Sequence, residues 1–157
     1  MTNEQNQIPN IAEILRTALQ RIDTSLQPLL LAKLERLAAQ RYRTWAAESE
    51  ESVRDGLLAC ADREEEIARR VESLVNDAAA IQDRILSENP DLLELNRTLF
   101  AGRPLKVQFA MQADGERAGA AAWNAFAAVP KEPSSQELLR SCSALEQANA
   151  DFLQTLL

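Results

Sequence analysis

Three charged residues interrupt otherwise apolar helical stripes, and whatever chemistry the sequence carries is concentrated there. Arg41 breaks the series Leu30, Leu34, Leu37 and Trp45; Glu64 breaks Leu57, Ala61, Ala68, Val71 and Val75; Glu116 breaks Phe109, Ala113, Ala120, Trp123 and Ala127. Steps of three and four residues place each series on one helix face. A carboxylate buried on such a face without a partner is too costly to keep, so it must be paired, protonated or bound to a metal. Arg41, Glu64 and Glu116 are expected to meet at one level of a bundle, with Tyr42 beside them as a hydrogen-bond donor. The alternative puts these charges at stripe edges, with their heads in water. Of the run Glu64, Glu65 and Glu66, only one side chain can point inward.

Other chemistries are excluded or have no motif. The chain has no histidine, which removes imidazole acid–base catalysis and imidazole metal ligation. No GxGxxG, P-loop or GxSxG pattern occurs. Cys60 and Cys142 lie far apart without a CxxC. They read as small apolar core residues in a reducing compartment, with a disulfide between them as the alternative. Trp45 and Trp123 read as core anchors. A net charge of −7 and a pI near 4.7 argue against nucleic acid, which needs clustered Lys and Arg. The same excess of acid disfavours an anionic membrane surface. Met1–Asn10 has neither the basic start nor the apolar core of a signal peptide. Ala118–Val129, the longest weakly polar stretch, falls short of the ~20 residues that span a bilayer. A cytoplasmic protein is expected, with no nucleic-acid or membrane partner.

The elements that must position these residues are helices. The 157 residues include 26 alanines and four glycines, and no stretch alternates with a period of two, so the fold class is all-α. An antiparallel four-helix-type bundle with additional short helices is expected over residues 10–157 as one domain, after a disordered or extended start over residues 1–9. Asn10 with Glu13 reads as an N-cap and its reciprocal acid. Ser25 is expected to cap the next helix, with Pro28 in its first turn. Ser52 with Asp55, and Ser134 with Glu137, resemble capping boxes. The third helix is expected to reach Val75. Asn89–Pro90 breaks the chain, and Gly102 and Pro104 mark a sharp stop and start. In the last helix the traced stripe is Leu138, Cys142, Leu145, Asn149, Phe152 and Leu156. No repeat stands out beyond the alanine-rich Ala118–Ala128.

Four long helices with inward glutamates resemble the ferritin-like family, which places a Glu on each of two helices and a Glu-x-x-His pair on each of the other two. The segment Ala61–Arg69 resembles the second-helix motif, and Asp114–Gly119 the fourth-helix motif, over a span from Leu26 to Ala128. The histidines are absent: Ile67 follows Glu64 by three, Ala68 follows Glu65 and Gly119 follows Glu116. Near the first-helix acid only Glu35 is available, one position off the Leu34 stripe. The resemblance therefore implies a bundle without the usual metal site and without iron storage or ferroxidase activity.

Three functions follow as expectations. The first is a non-enzymatic helical protein, without cofactor, acting through protein–protein contact or as a homodimer across the small residues Gly115 and Gly119. The second is an all-carboxylate metal protein using Glu35, Glu64 or Glu65, and Glu116, whose oxygen ligands suit manganese, magnesium or calcium. The third is a small acidic ligand held between helices by Arg41, beside Trp45, Trp123 and Phe109.

Overall fold

The computed structural model describes residues 7–129 and 131–157; the expectation for residues 1–6 lies outside them. Among the described residues there are seven α-helices and no strand. They are α1 (Ile11–Gln20), α2 (Gln27–Ala47), α3 (Glu51–Glu72), α4 (Ala78–Glu88), α5 (Pro90–Phe100), α6 (Leu105–Ala128) and α7 (Pro133–Gln154). The all-α reading holds, and among the described residues no helix is long and apolar enough to cross a membrane.

Short connections fold α2 back on α3 and α6 back on α7, giving two long helical hairpins. The hairpins meet closely along α3 and α7, whereas α2 and α6 touch only lightly. Helix α1 lies against α6 and α2, and α4 lies against α2. The bundle is thus shut on one side and parted on the other. Two apolar clusters fill it. One gathers Leu30, Leu31, Ile67, Val71, Trp123 and Leu139; the other gathers Tyr42, Trp45, Leu57, Phe100, Phe109, Met111 and Leu153. Burying side chains of this size contributes about 1.5–3 kcal/mol each before chain entropy is counted. The layer between the two clusters is polar.

Several helix ends differ from the sequence reading. Asn10 does cap α1, accepting from the Glu13 amide at 3.1 Å. Asp23, rather than Ser25, caps the next segment, a 3-10 turn over Thr24–Leu26 that leads into α2. Glu50 and Glu132 stand at the N-caps of α3 and α7, so Ser52 and Ser134 fall inside their helices. In α7 the proline Pro133 takes the first helical position, where its missing N–H costs nothing. Helix α3 stops at Glu72, and Val75 is exposed, because the chain turns through Asp77 at φ 58°. Gly102 takes φ 74°, as its position after α5 requires. Arg21 donates to Asp91 at 2.6 Å and to Asn89 at 3.1 Å, tying the end of α1 to the start of α5.

Candidate functional site

Each of the four long helices sends one glutamate into the polar layer: Glu35 from α2, Glu64 from α3, Glu116 from α6 and Glu146 from α7. Their exposures are 6%, 0%, 1% and 1%. These carboxylates are therefore out of water. Carboxylate oxygens of Glu35, Glu64 and Glu146 lie within 4.8 Å of one another. Glu116 completes the ring, near enough that its charge raises both Glu64 and Glu146.

Neutral donors hold these carboxylates in place. Tyr42 donates its hydroxyl to Glu116 Oε1 at 2.5 Å, and Gln112 Nε2 donates to the same oxygen at 2.9 Å. Trp123 Nε1 donates to Glu146 Oε1 at 2.8 Å. Asn149 Nδ2 donates to Glu64 Oε1 at 2.8 Å. Two arginines set the amides rather than the acids. Arg41 donates to Gln112 Oε1 at 2.8 and 3.0 Å, and Arg63 donates to Asn149 Oδ1 at 2.9 Å. With its oxygen taken by an arginine, each amide must aim its NH2 at a glutamate. Glu64 Oε2 and Glu116 Oε2, both fully buried, have no hydrogen-bond partner among the described residues.

The electrostatics follow from burial and crowding. Desolvation first, then the neighbouring carboxylates Glu116 and Glu35, push Glu64 well above the ordinary glutamate range. Desolvation and the charges of Glu35, Glu64 and Glu116 do the same to Glu146, and burial raises Glu35. Burial, then the Glu116 charge, also raises Tyr42, which stays a phenol able to donate. Burial pushes Cys60 up to about 12 and Cys142 to about 11. Both cysteines are free and buried, and neither is a nucleophile at neutral pH.

The inward tracing expects Arg41, Glu64 and Glu116 to meet beside Tyr42, and the structure brings Glu64, Glu116 and Tyr42 together. Arg41 is half-buried and touches no carboxylate directly; it acts through Gln112, and its third contact is Asn96 Oδ1 at 3.1 Å. Glu35 belongs to the ring, because the buried face of α2 runs one residue round from the traced stripe, through Leu31, Glu35, Ala38 and Tyr42. Glu65 does not join: it faces outward and pairs with Arg36 and Arg43. The face of Gly119 is filled within the chain by Glu146, and Gly115 faces Ile11 of α1. A cleft of about 130 Å³ does open beside Arg41, yet neither tryptophan nor Phe109 lines it; a second groove that Arg41 also lines includes Trp45, but not Trp123 or Phe109.

Sequence reasoning missed Glu146, and the signal that finds it is a repeat. Ala32, Glu35, Arg36, Ala39, Tyr42, Ala46 and Ala47 of α2 match Ala113, Glu116, Arg117, Ala120, Trp123, Ala127 and Ala128 of α6, position for position. Leu57, Cys60, Glu64 and Ala68 of α3 match Leu139, Cys142, Glu146 and Ala150 of α7 in the same way. The connection after α6 is one residue longer than that after α2, which offsets the two registers by one. The chain is thus two like hairpins, each giving a pair of inward glutamates.

The amide contacts are open to test. Asn149→Leu keeps the volume near Glu64 and removes its donor; a buried oxygen left without its hydrogen bond should cost about 1–3 kcal/mol, read as a lower melting temperature at pH 8. An unchanged melting curve would show that Asn149 only packs. No family model, curated protein or solved structure matches this chain.

Proposed function

We propose that the protein binds up to two divalent metal ions, manganese(II) foremost, through Glu35, Glu64, Glu116 and Glu146. The observation that carries this reading is the pair of buried carboxylate oxygens, Glu64 Oε2 and Glu116 Oε2, that no donor satisfies. Buried acceptors of this kind are rare in native folds and call for an explanation. A structural ion pair would have placed a guanidinium on them. Instead Arg41 and Arg63 reach only as far as Gln112 and Asn149, so the carboxylates are oriented without a guanidinium bonded to them. That is how ligating carboxylates are commonly supported from outside. Four oxygen-donor acids and no nitrogen or thiolate suit manganese or magnesium better than zinc or copper. Two divalent charges would balance the four carboxylates, one glutamate pair from each hairpin. The layout accords with the ferritin-like resemblance, Glu146 occupying space that Gly119 leaves where that motif has histidine.

A bound ion supplies positive charge and exchangeable coordination positions; the chain supplies the rest. Tyr42 keeps a proton on its hydroxyl and directs one lone pair of Glu116, while Trp123 fixes Glu146. The two apolar clusters exclude water from above and below.

The pH dependence has a definite sign. Glu35, Glu64 and Glu146, held above the ordinary glutamate value, bind protons more readily in the folded than in the unfolded chain. Metal-free stability is therefore greatest below that ordinary value and declines as pH rises through the folded ones. Metal must displace those protons, so manganese affinity should rise about tenfold per pH unit for each proton released. Calorimetric titration at pH 6 and pH 8, with melting curves of both forms, checks this. The melting temperatures of metal-free and manganese-loaded protein should draw apart toward pH 8. Absence of manganese binding at pH 8 would refute the proposal.

A further inference from the structure

We infer that the cleft between α2 and α6, roofed by α1 and α5, admits a small, neutral, apolar molecule of about six carbon atoms to the carboxylate ring, a space of that order being known to hold benzene. The inference rests on the metal reading in so far as the molecule is a substrate of that centre.

Three observations converge. The first is asymmetry between like halves. The two hairpins close tightly where α3 meets α7, whereas the corresponding seam of α2 and α6 is parted. The helices that cover this seam, α1 and α5, have no part in the hairpin repeat. The second is the shape and lining. The cleft measures about 130 Å³; its walls include Ile14, Leu15, Leu34, Leu95, Leu99 and Met111, and its lining includes Glu35, Glu116 and Glu146. An engineered apolar cavity of about 150 Å³ takes up benzene, and the surface exposed in this cleft is likewise chiefly apolar. The third is the state of the polar groups at the rim. The Arg41 nitrogens already donate to Gln112 and Asn96, and the guanidinium lies 4.0 Å from the Phe100 ring centroid. An anionic head would have to sit against the glutamates of the lining, a repulsion that an uncharged molecule does not meet. Its inner end would rest beside Glu116, one of whose oxygens is unpartnered.

The probe is benzene, added to uniformly 15N-labelled protein. In metal-free protein the amides of Ile14, Leu34, Leu95 and Gly115 should shift saturably. Ala38, buried in the wall on α2, gives the control: Ala38→Leu fills much of the space and should weaken benzene at least about tenfold. In manganese-loaded protein the benzene protons should relax faster than in magnesium-loaded protein, since the ion lies at the inner end. Absence of saturable shifts in the wild-type protein overturns the inference, as do shifts that persist undiminished in a folded Ala38→Leu variant. Manganese uptake without benzene shifts would overturn the cleft alone. Benzene shifts without manganese uptake would uphold the cleft as a binding site and overturn the metal reading.

Discussion

Glu64→Gln should lower manganese affinity at least about a hundredfold, beyond what loss of an outer partner costs, and at the same time stabilise the metal-free protein at pH 8. The two effects have one origin. Glu64 is fully buried, its Oε1 is held by Asn149, and its Oε2 has no donor. A glutamine keeps the first contact, because its carbonyl still accepts from Asn149. Its NH2 then stands where the unpartnered oxygen was, among the carboxylates of Glu116 and Glu35 whose charges crowd Glu64. Removing one unsatisfied buried group is worth about 1–3 kcal/mol. At about 2–4 °C per kcal/mol for a chain of this size, the metal-free melting temperature should rise by several degrees. Most substitutions at fully buried positions destabilise, so a rise here is a specific signature of a site built for something other than stability. Loss of stability at pH 8 with manganese binding intact would contradict it.

Gly119→Ala should damage the site from a different direction. A Cβ at this position would lie 2.5 Å from Glu146 Oε1 and 2.8 Å from its Cδ. Glu146 is buried and pinned by Trp123, so either the carboxylate withdraws from the ring or α6 and α7 separate. Alanine in a helix interior normally gains about 1 kcal/mol over glycine. Overpacking costs about 1–3 kcal/mol, so the melting temperature should fall despite that gain. Manganese affinity should drop about 10–100-fold, as when a ligand loses its orientation. Gly115→Ala is the matched control. Its Cβ would meet Ile11 Cγ2 at 3.5 Å, an ordinary contact; metal binding should be unchanged and stability equal or higher. Identical behaviour of the two variants would show that Gly119 is only a helix residue.

The fold was largely legible because its helices are long and alanine-rich and their breaks carry Asn10, Asn89–Pro90 and Gly102. Cap identities were less legible, since serines one or two residues inside a helix look like caps when an extended glutamate takes the position. Half of the ring, Glu64 and Glu116, could be read from carboxylates interrupting an apolar face. Glu35 and Glu146 were harder for a shared reason. In α2 and α7 a leucine precedes the glutamate (Leu34, Leu145), and a search for apolar periodicity follows the leucine. The half-buried Leu145 and Phe152 displaced Glu146 and Leu153 from the traced face, although both faces share Cys142 and Asn149. A site that buries charge violates the very pattern used to find buried faces. The repeat escaped notice because its aromatic positions are Tyr42 and Trp123, not identical residues, and because its register slips by one between the two helices of each hairpin.

Anomalous diffraction at the manganese edge, on crystals grown with manganese at pH 8, locates the ion directly. The predicted outcome is a peak enclosed by the carboxylates of Glu35, Glu64, Glu116 and Glu146, with the Arg41–Gln112 and Arg63–Asn149 contacts preserved. A core without anomalous signal, its four acids joined to one another by shared protons in place of an ion, would contradict it.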